Sequence, residues 1–570
     1  MKNSQANNWK LVKKELAMDE KINEVEKIID EWLIERLDLS IPRNKYIYHC
    51  NLAFIDIVID QKILFTPFER HYLFSLNYNT HIAHIKLKEE HYFDYSFDQR
   101  LYAFAFEMIL RGMQYSMLCD VFPLLHSGKA TMRIDGSNIF FNIKNIPKRN
   151  YKFISDYSLR KALSYTLQMA NGRLNNCNDE EIAMKLSDLY MEFWNENMIY
   201  NDYEPYSPLE WGGISLFFII SSMRRFNKLY KKDFDIVSLD SQKMMILLSP
   251  KGVDELRGFV PATDDELYNM ALEDNIYKPI GKGSFPKLSI TEAPLNRTRD
   301  GFIFANPLVI LFNDSLETRF LNYLRKCDNE RYLRIKDKIK ERVIPLIIEM
   351  IKYKFPKTVP IPNFYVQIPL QKKNRRECDL LLVDENGFTL YLEIKHFYYP
   401  QSFCETKKVD LELTKALAKM PDQLNAINKN WGTIKSTYHI NTDLKELHGV
   451  IISHRYTGYD VEVDLHTPIV SAANLYESIA ESNNLREVFF GCKEIDDIYP
   501  NIRFIRKELS CRFAGYNFNL EIECLDPLFE ISFIKSYRKQ IYGNVTSTKP
   551  KLFNNVSDLA HAYLDEYKSK

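Results

Sequence analysis

The chain has 570 residues, 45% hydrophobic, 27% charged and 13% aromatic, the balance of a folded protein too long for one ordinary core, so about two to four domains are expected. With 76 basic and 76 acidic side chains the formal net charge is +0, which argues against stable coating of nucleic acid through bulk charge but not against an enzyme with a local basic lining. The greasiest run, Ile214 to Ile220, is too short to cross a bilayer and precedes Arg224 and Arg225, so no membrane partner is expected. The first residues hold no apolar secretory core, and none of the 9 cysteines forms a CxxC pair. Together these point to a cytoplasmic location, free thiols and no structural zinc.

Residues 19–37 place Ile22, Val25, Ile28, Ile29, Trp32, Leu33 and Leu37 on one helical face. Asp98 is placed to cap a second long helix running through Leu118. Two alternating runs flank Asp135-Gly136, predicting a β-hairpin near 129–144. Residues 157–169 and 180–195 read as further helices. The first 290 residues are therefore expected to form a mainly helical recognition or regulatory region. Pro279, Gly281, Gly283, Pro286, Pro294 and Gly301 punctuate a stretch with no clear period, which suggests a boundary between 277 and 301. Its Gly281-Lys282-Gly283-Ser284 piece lacks the strand and the glycine-lysine pair of a phosphate loop and is read as a turn.

Beyond the boundary the order is helix, three strands, helix, two strands. Residues 334–354 form the first helix, which Pro345 should kink or interrupt. Residues 364–370 alternate as a strand. The stretch ECDLLLVDENGFTLYLEIK, Glu377 to Lys395, gives two apolar strands around an Asn386-Gly387 turn. A helix over 411–430, short strands at 449–453 and 468–471 and a helix over 473–482 complete a small α/β layer, expected within 301–495. Residues 496–570 form a β-containing C-terminal extension, with an alternating run at 516–522 and a closing helix near 557–567.

The hairpin carries the chemistry. Side chains at i and i+2 of a strand share a face, so Glu393 and Lys395 point the same way. Asp379 on the neighbouring strand is placed to sit beside Glu393 across the ladder. Adjacent carboxylates are best tolerated around a cation, and hard oxygen ligands select Mg²⁺ or Mn²⁺. Such an ion polarises a phosphate oxygen and activates water, with Lys395 orienting the water and offsetting charge on phosphorus. The plainer reading is a salt-bridged edge strand protected by lysine. Lys372, Lys373, Arg375 and Arg376 are candidate phosphate contacts beside a charged-loop reading. Tyr391, Phe397, Tyr398 and Tyr399 are candidate base stackers or core. His396 is read as packing or solvent-facing.

The Asp379…Glu393-Ile394-Lys395 set, in this element order, resembles the PD-(D/E)XK nuclease superfamily, whose fold is restriction-endonuclease-like. The resemblance spans the helix at Arg334 to the helix at Ala473. It implies a metal-dependent nuclease with Asp379, Glu393 and Lys395 as catalytic residues. It also implies metal ligation by Asp379, Glu393 and the Ile394 carbonyl, a helix glutamate (Glu341, with Glu349 second) and a helix glutamine (Gln423). Cys378 stands where the motif has proline. The implied partner is nucleic acid, DNA before RNA, cut by a homodimer or larger assembly, with a place in prokaryotic anti-phage defence. The alternative is a catalytically inactive scaffold or sensor that keeps the fold and acts through protein–protein contacts.

Overall fold

The computed structural model describes residues 20–60, 69–126, 128, 130–143, 208–229, 241–260, 264–281, 283, 285–311, 316–367, 375–397, 403–453, 458, 461, 464, 466–497 and 504–525. The helices expected over 157–169, 180–195 and 557–567 lie outside these residues. The described chain is mixed α+β and opens with a helical region.

Helix α1 (20–35) turns Ile22, Val25, Ile29 and Leu33 into the core. Helices α2 (Arg43–Asp60) and α3 (Glu69–Lys86) follow. Helix α4 (Gln99–His126) starts at Asp98, whose carboxylate accepts the N–H groups of Arg100 at 2.9 Å and Leu101 at 3.1 Å. It runs well past Leu118, with Pro123 inside it. Helix α2 carries no one-sided stripe because Tyr46, Ile47, Tyr48, Leu52, Ala53, Phe54, Ile55 and Ile57 are all buried; a helix packed on every side shows little amphipathic period.

On α3, His84 Nε2 is buried without a hydrogen-bond partner. Burial, with the charges of Arg43 and His81 nearby, pushes this imidazole from 6.5 down to about 3. In the unfolded chain His84 takes a proton near its ordinary value, while the folded chain keeps it neutral. Its stabilising contribution is therefore complete above the unfolded value and is lost as pH falls toward the folded one. Denaturant titrations should show a loss between about pH 7 and pH 5.5 that is larger by about 1 kcal/mol in the native chain than in His84→Phe. Equal losses would refute this account.

Strands β1 (Ala130–Asp135) and β2 (Asn138–Ile143) form the expected hairpin, with Gly136 at φ 58° in its turn. Helix α5 (Pro208–Leu229), β3 (Ile246–Leu248), α6 (Asp265–Asn275), β4 (Leu295–Arg297), β5 (Ile303–Ala305) and α7 (Leu316–Cys327) come next. The stretch 277–301 is folded into this body. Tyr277, Leu288, Ile290, Ala293 and Leu295 are buried, and strands β3, β5 and β4 pair in that order. One apolar core runs from Ile22 through Ile335. Lys282 and Ser284 lie outside the described residues, and the Gly283 carbonyl lies 2.9 Å from His81 Nε2.

Helix α8 (Asn329–Lys354) leads into a five-stranded sheet. Pro345 does not interrupt this helix; it sits within it on an exposed position. Strands β6 (Val359–Gln367), β7 (Arg375–Val383) and β8 (Phe388–Lys395) run antiparallel in sequence. Helix α9 (Phe403–Lys429) then crosses over to β9 (Glu446–Ser453), parallel to β8, and β10 (Ile469–Ser471) is parallel to β9. Helices α10 (Ala472–Glu481) and α11 (Leu485–Asp497) follow, and the sheet order is β10-β9-β8-β7-β6.

Alternation along β8 separates two cores. Phe388, Leu390, Leu392 and Ile394 pack with residues of α8, α10 and α11. Tyr391 packs on the other face with Leu413, Ala416 and Met420 of α9. The last described strands, β11 (Phe504–Phe513) and β12 (Tyr516–Leu525), do not extend this sheet. Strand β12 pairs parallel with β2, matching Asn517 to Asn138 and Leu520 to Phe141. The C-terminal extension thus closes onto the N-terminal hairpin and shares its core through Phe513, Phe518 and Leu520.

Candidate active site

The hairpin that holds the candidate residues is built by its turn. Asp384 accepts the N–H groups of Asn386 and Phe388 on one carboxylate oxygen, both at 2.8 Å. Gly387 takes φ 85°, the left-handed region that glycine enters without strain. The strands then pair Val383 with Thr389, Leu382 with Leu390, Leu381 with Tyr391 and Leu380 with Leu392. The paired stretch ends there, and Asp379 and Glu393 are the next residues on their two strands.

Beyond the last of those pairs a side chain enters the ladder. The Ile394 N–H donates to Asp379 Oδ2 at 2.8 Å, and Asp379 is buried. A matched irregularity lies in the flanking strand, where Asn363 adopts φ 48° between the pairs Pro362–Leu380 and Phe364–Cys378. Buried faces shift there: Ile361 and Leu381 face the α9 core on one side of it, Phe364 and Cys378 on the other. Asp379 sits at this switch.

Glu393 is held from three sides. Lys395 Nζ donates to its Oε1 at 2.6 Å. The Tyr391 hydroxyl donates to Oε2, and Gln423 Nε2 reaches the same oxygen at 3.1 Å and the Tyr391 hydroxyl oxygen at 3.0 Å. Burial pushes the Glu393 carboxyl up, but the Lys395 ammonium and the hydrogen bonds from Lys395, Tyr391 and Gln423 carry it below the usual carboxylate range. Burial and the adjacent Glu393 charge hold the Tyr391 hydroxyl far above its usual range, so it remains a donor. The neighbouring Cys378 thiol is pushed up to about 12, mainly by burial.

Gln423 arrives from α9, whose buried stripe is Leu413, Ala416, Met420, Gln423 and Ile427. The polar side chain occupies a position where the three-four spacing calls for an apolar one. A buried amide needs partners, and Tyr391 and Glu393 supply them. Gly449 on β9 allows α9 to lie this close: a Cβ there would fall 2.4 Å from Met420 Sδ.

The structure therefore brings together Asp379, Glu393, Lys395 and Gln423. Glu341 lies in α8, but its side chain is outside the described residues. Glu349 pairs with Lys352 of its own helix at 3.5 Å. Tyr391 is fully buried beneath the site and is not available to stack on a base. Its hydroxyl's part in the site has one signal in the sequence, a place two residues before Glu393 on the same strand face. Phe397 packs against the α9 core, and His396 is half-buried. The Arg375 guanidinium lies 4.6 Å over the exposed Tyr365 ring. Lys372, Lys373, Tyr398 and Tyr399 are outside the described residues.

Among the described residues no group of three or more His, Cys, Asp or Glu side chains is gathered to hold a metal ion. The donors at hand are the carboxylates of Asp379 and Glu393, the first bonded to the N–H of the residue that follows the second. Mg²⁺ is commonly held by one or two carboxylates, keeping several waters or taking substrate phosphate. This pair fits that pattern in number and in oxygen chemistry.

No protein-family model, curated protein or solved structure matches this chain. Among the described residues no helix is long and apolar enough to cross a membrane.

Proposed function

We propose that the chain is a metal-dependent nuclease of the PD-(D/E)XK type, hydrolysing phosphodiester bonds at Asp379, Glu393 and Lys395. The observation that carries this reading is the partly buried Glu393 carboxylate, bonded to Lys395 and Gln423, with the buried Asp379 accepting the N–H of the next residue, Ile394. The element order supports it too: a helix, three antiparallel strands, a crossover helix and a parallel strand are what a restriction-endonuclease-like fold requires. Asp379 and Glu393, with the Ile394 carbonyl, would hold Mg²⁺ or Mn²⁺, which supplies polarisation of a phosphate oxygen and activation of a water. Lys395 would orient that water and offset negative charge developing on the phosphate. Gln423 fixes Glu393. Nucleic acid, DNA before RNA, is the proposed substrate, with the N-terminal helical region in recognition or regulation, and anti-phage defence is the proposed setting. Cutting both strands of a duplex would favour a two-fold dimer.

A second reading has an observation of its own. Both Glu393 oxygens are already satisfied by Lys395, Tyr391 and Gln423, so the cluster is stable as a purely structural network, as a catalytically inactive scaffold would need. The test is to incubate purified protein with single- and double-stranded DNA and RNA. Cleavage with Mg²⁺ or Mn²⁺ that stops in EDTA is expected. No cleavage of any substrate under either ion would favour the scaffold.

A further inference from the structure

We infer that Tyr391 is a positioning residue that divides the labour of the two Glu393 oxygens, an inference that rests on the metal-site reading above. Oε2 is fixed by two neutral donors on rigid elements. The Tyr391 hydroxyl comes from β8, under a ring that is 0% exposed, and Gln423 Nε2 comes from the buried stripe of α9. Oε1 is held differently, by Lys395, a flexible cation whose side chain is 32% exposed. A cation entering beside Asp379 can displace an ammonium at little cost, because charge replaces charge. It cannot displace Tyr391 without leaving a buried hydroxyl unpaired. Oε2 is therefore the anchored oxygen and Oε1 the one offered to the metal. Lys395, released from Oε1, is then free to face the phosphate. The Gln423 bond to the Tyr391 hydroxyl oxygen completes the anchor by aiming the phenolic proton at Glu393.

The measurement is calorimetric titration of the full-length protein with Mn²⁺ alone, needing neither substrate nor turnover. Tyr391→Phe keeps the buried ring and should weaken Mn²⁺ binding about 10- to 100-fold, the usual effect of removing a group that orients a metal ligand. Gln423→Met, of similar volume, should weaken it in the same direction and tests the anchor from the other element. Lys395→Met removes the competitor for Oε1 and should bind Mn²⁺ at least as tightly as the native chain. Unchanged affinity in both Tyr391→Phe and Gln423→Met would overturn the anchoring role, and a tenfold loss in Lys395→Met would overturn the assignment of Oε1. Glu393→Gln separates the two levels. If it binds Mn²⁺ like the native chain, the metal-site reading itself fails; if it alone loses binding, only the role of Tyr391 fails.

Discussion

Asp379→Asn and Glu393→Gln should each lower metal-dependent cleavage on the order of a thousandfold while leaving the fold in place. Both changes conserve shape and remove one negative charge. In Asp379→Asn the new amide oxygen can still accept the Ile394 N–H, so the strand junction that Asp379 closes survives. In Glu393→Gln the amide oxygen can still accept from the Tyr391 hydroxyl, and the variant loses chiefly the ion pair with Lys395. What both lose is the anionic oxygen that a hard dication requires. Cleavage rates on the best substrate, beside thermal melts of each variant, make the comparison. Native-like melting with activity within tenfold of the native chain would remove these carboxylates from the chemistry.

Gly387→Ala should destabilise the sheet that carries the site by about 2–4 kcal/mol. Two penalties add. A side chain at φ 85° is strained wherever it sits. A Cβ at this position would also fall 2.3 Å from the Asp443 carbonyl oxygen, which is backbone and cannot rotate away. The Gly387 carbonyl accepts the Lys445 N–H at 3.0 Å, so the loop before β9 is pinned to the same turn. Gly136→Ala is the matched control: its φ is 58° and a Cβ there meets nothing within 4 Å. It should cost only the conformational part, about 1 kcal/mol. Urea unfolding of the two variants reads the difference, and equal losses would contradict the steric account.

The candidate site was legible because it rests on local patterns. Two apolar runs, Leu380 to Val383 and Phe388 to Leu392, around an Asn386-Gly387 turn predict both strands and their antiparallel pairing. The hairpin puts Asp379 against the strand end that carries Glu393, Ile394 and Lys395. Two features near the site had weaker signals. Gln423 is reached through the resemblance rather than a local pattern, and on α9 it is a polar member of a largely apolar buried face. The Tyr391 hydroxyl bond needs the height of α9 over the sheet, which Gly449 and Met420 set. The helical region was less legible for a different reason. Helix α2 buries apolar side chains all round and so lacks a period. The stretch 277–301 reads as a boundary because its glycines and prolines are many and no period is clear, while Leu288, Ile290 and Leu295 pack into the first core. The parallel pairing of β2 with β12 joins Asn138 to Asn517, a contact between distant segments that no local period announces.

Asp379 and Glu393 are proposed to hold a hard dication together. Anomalous diffraction from crystals of the full-length protein soaked in Mn²⁺ tests it most directly. The expected result is an anomalous peak beside the carboxylates of Asp379 and Glu393, with the Lys395 ammonium moved off Glu393 Oε1. A peak elsewhere in the molecule, or none near these two carboxylates while Lys395 keeps its bond to Glu393, would contradict it.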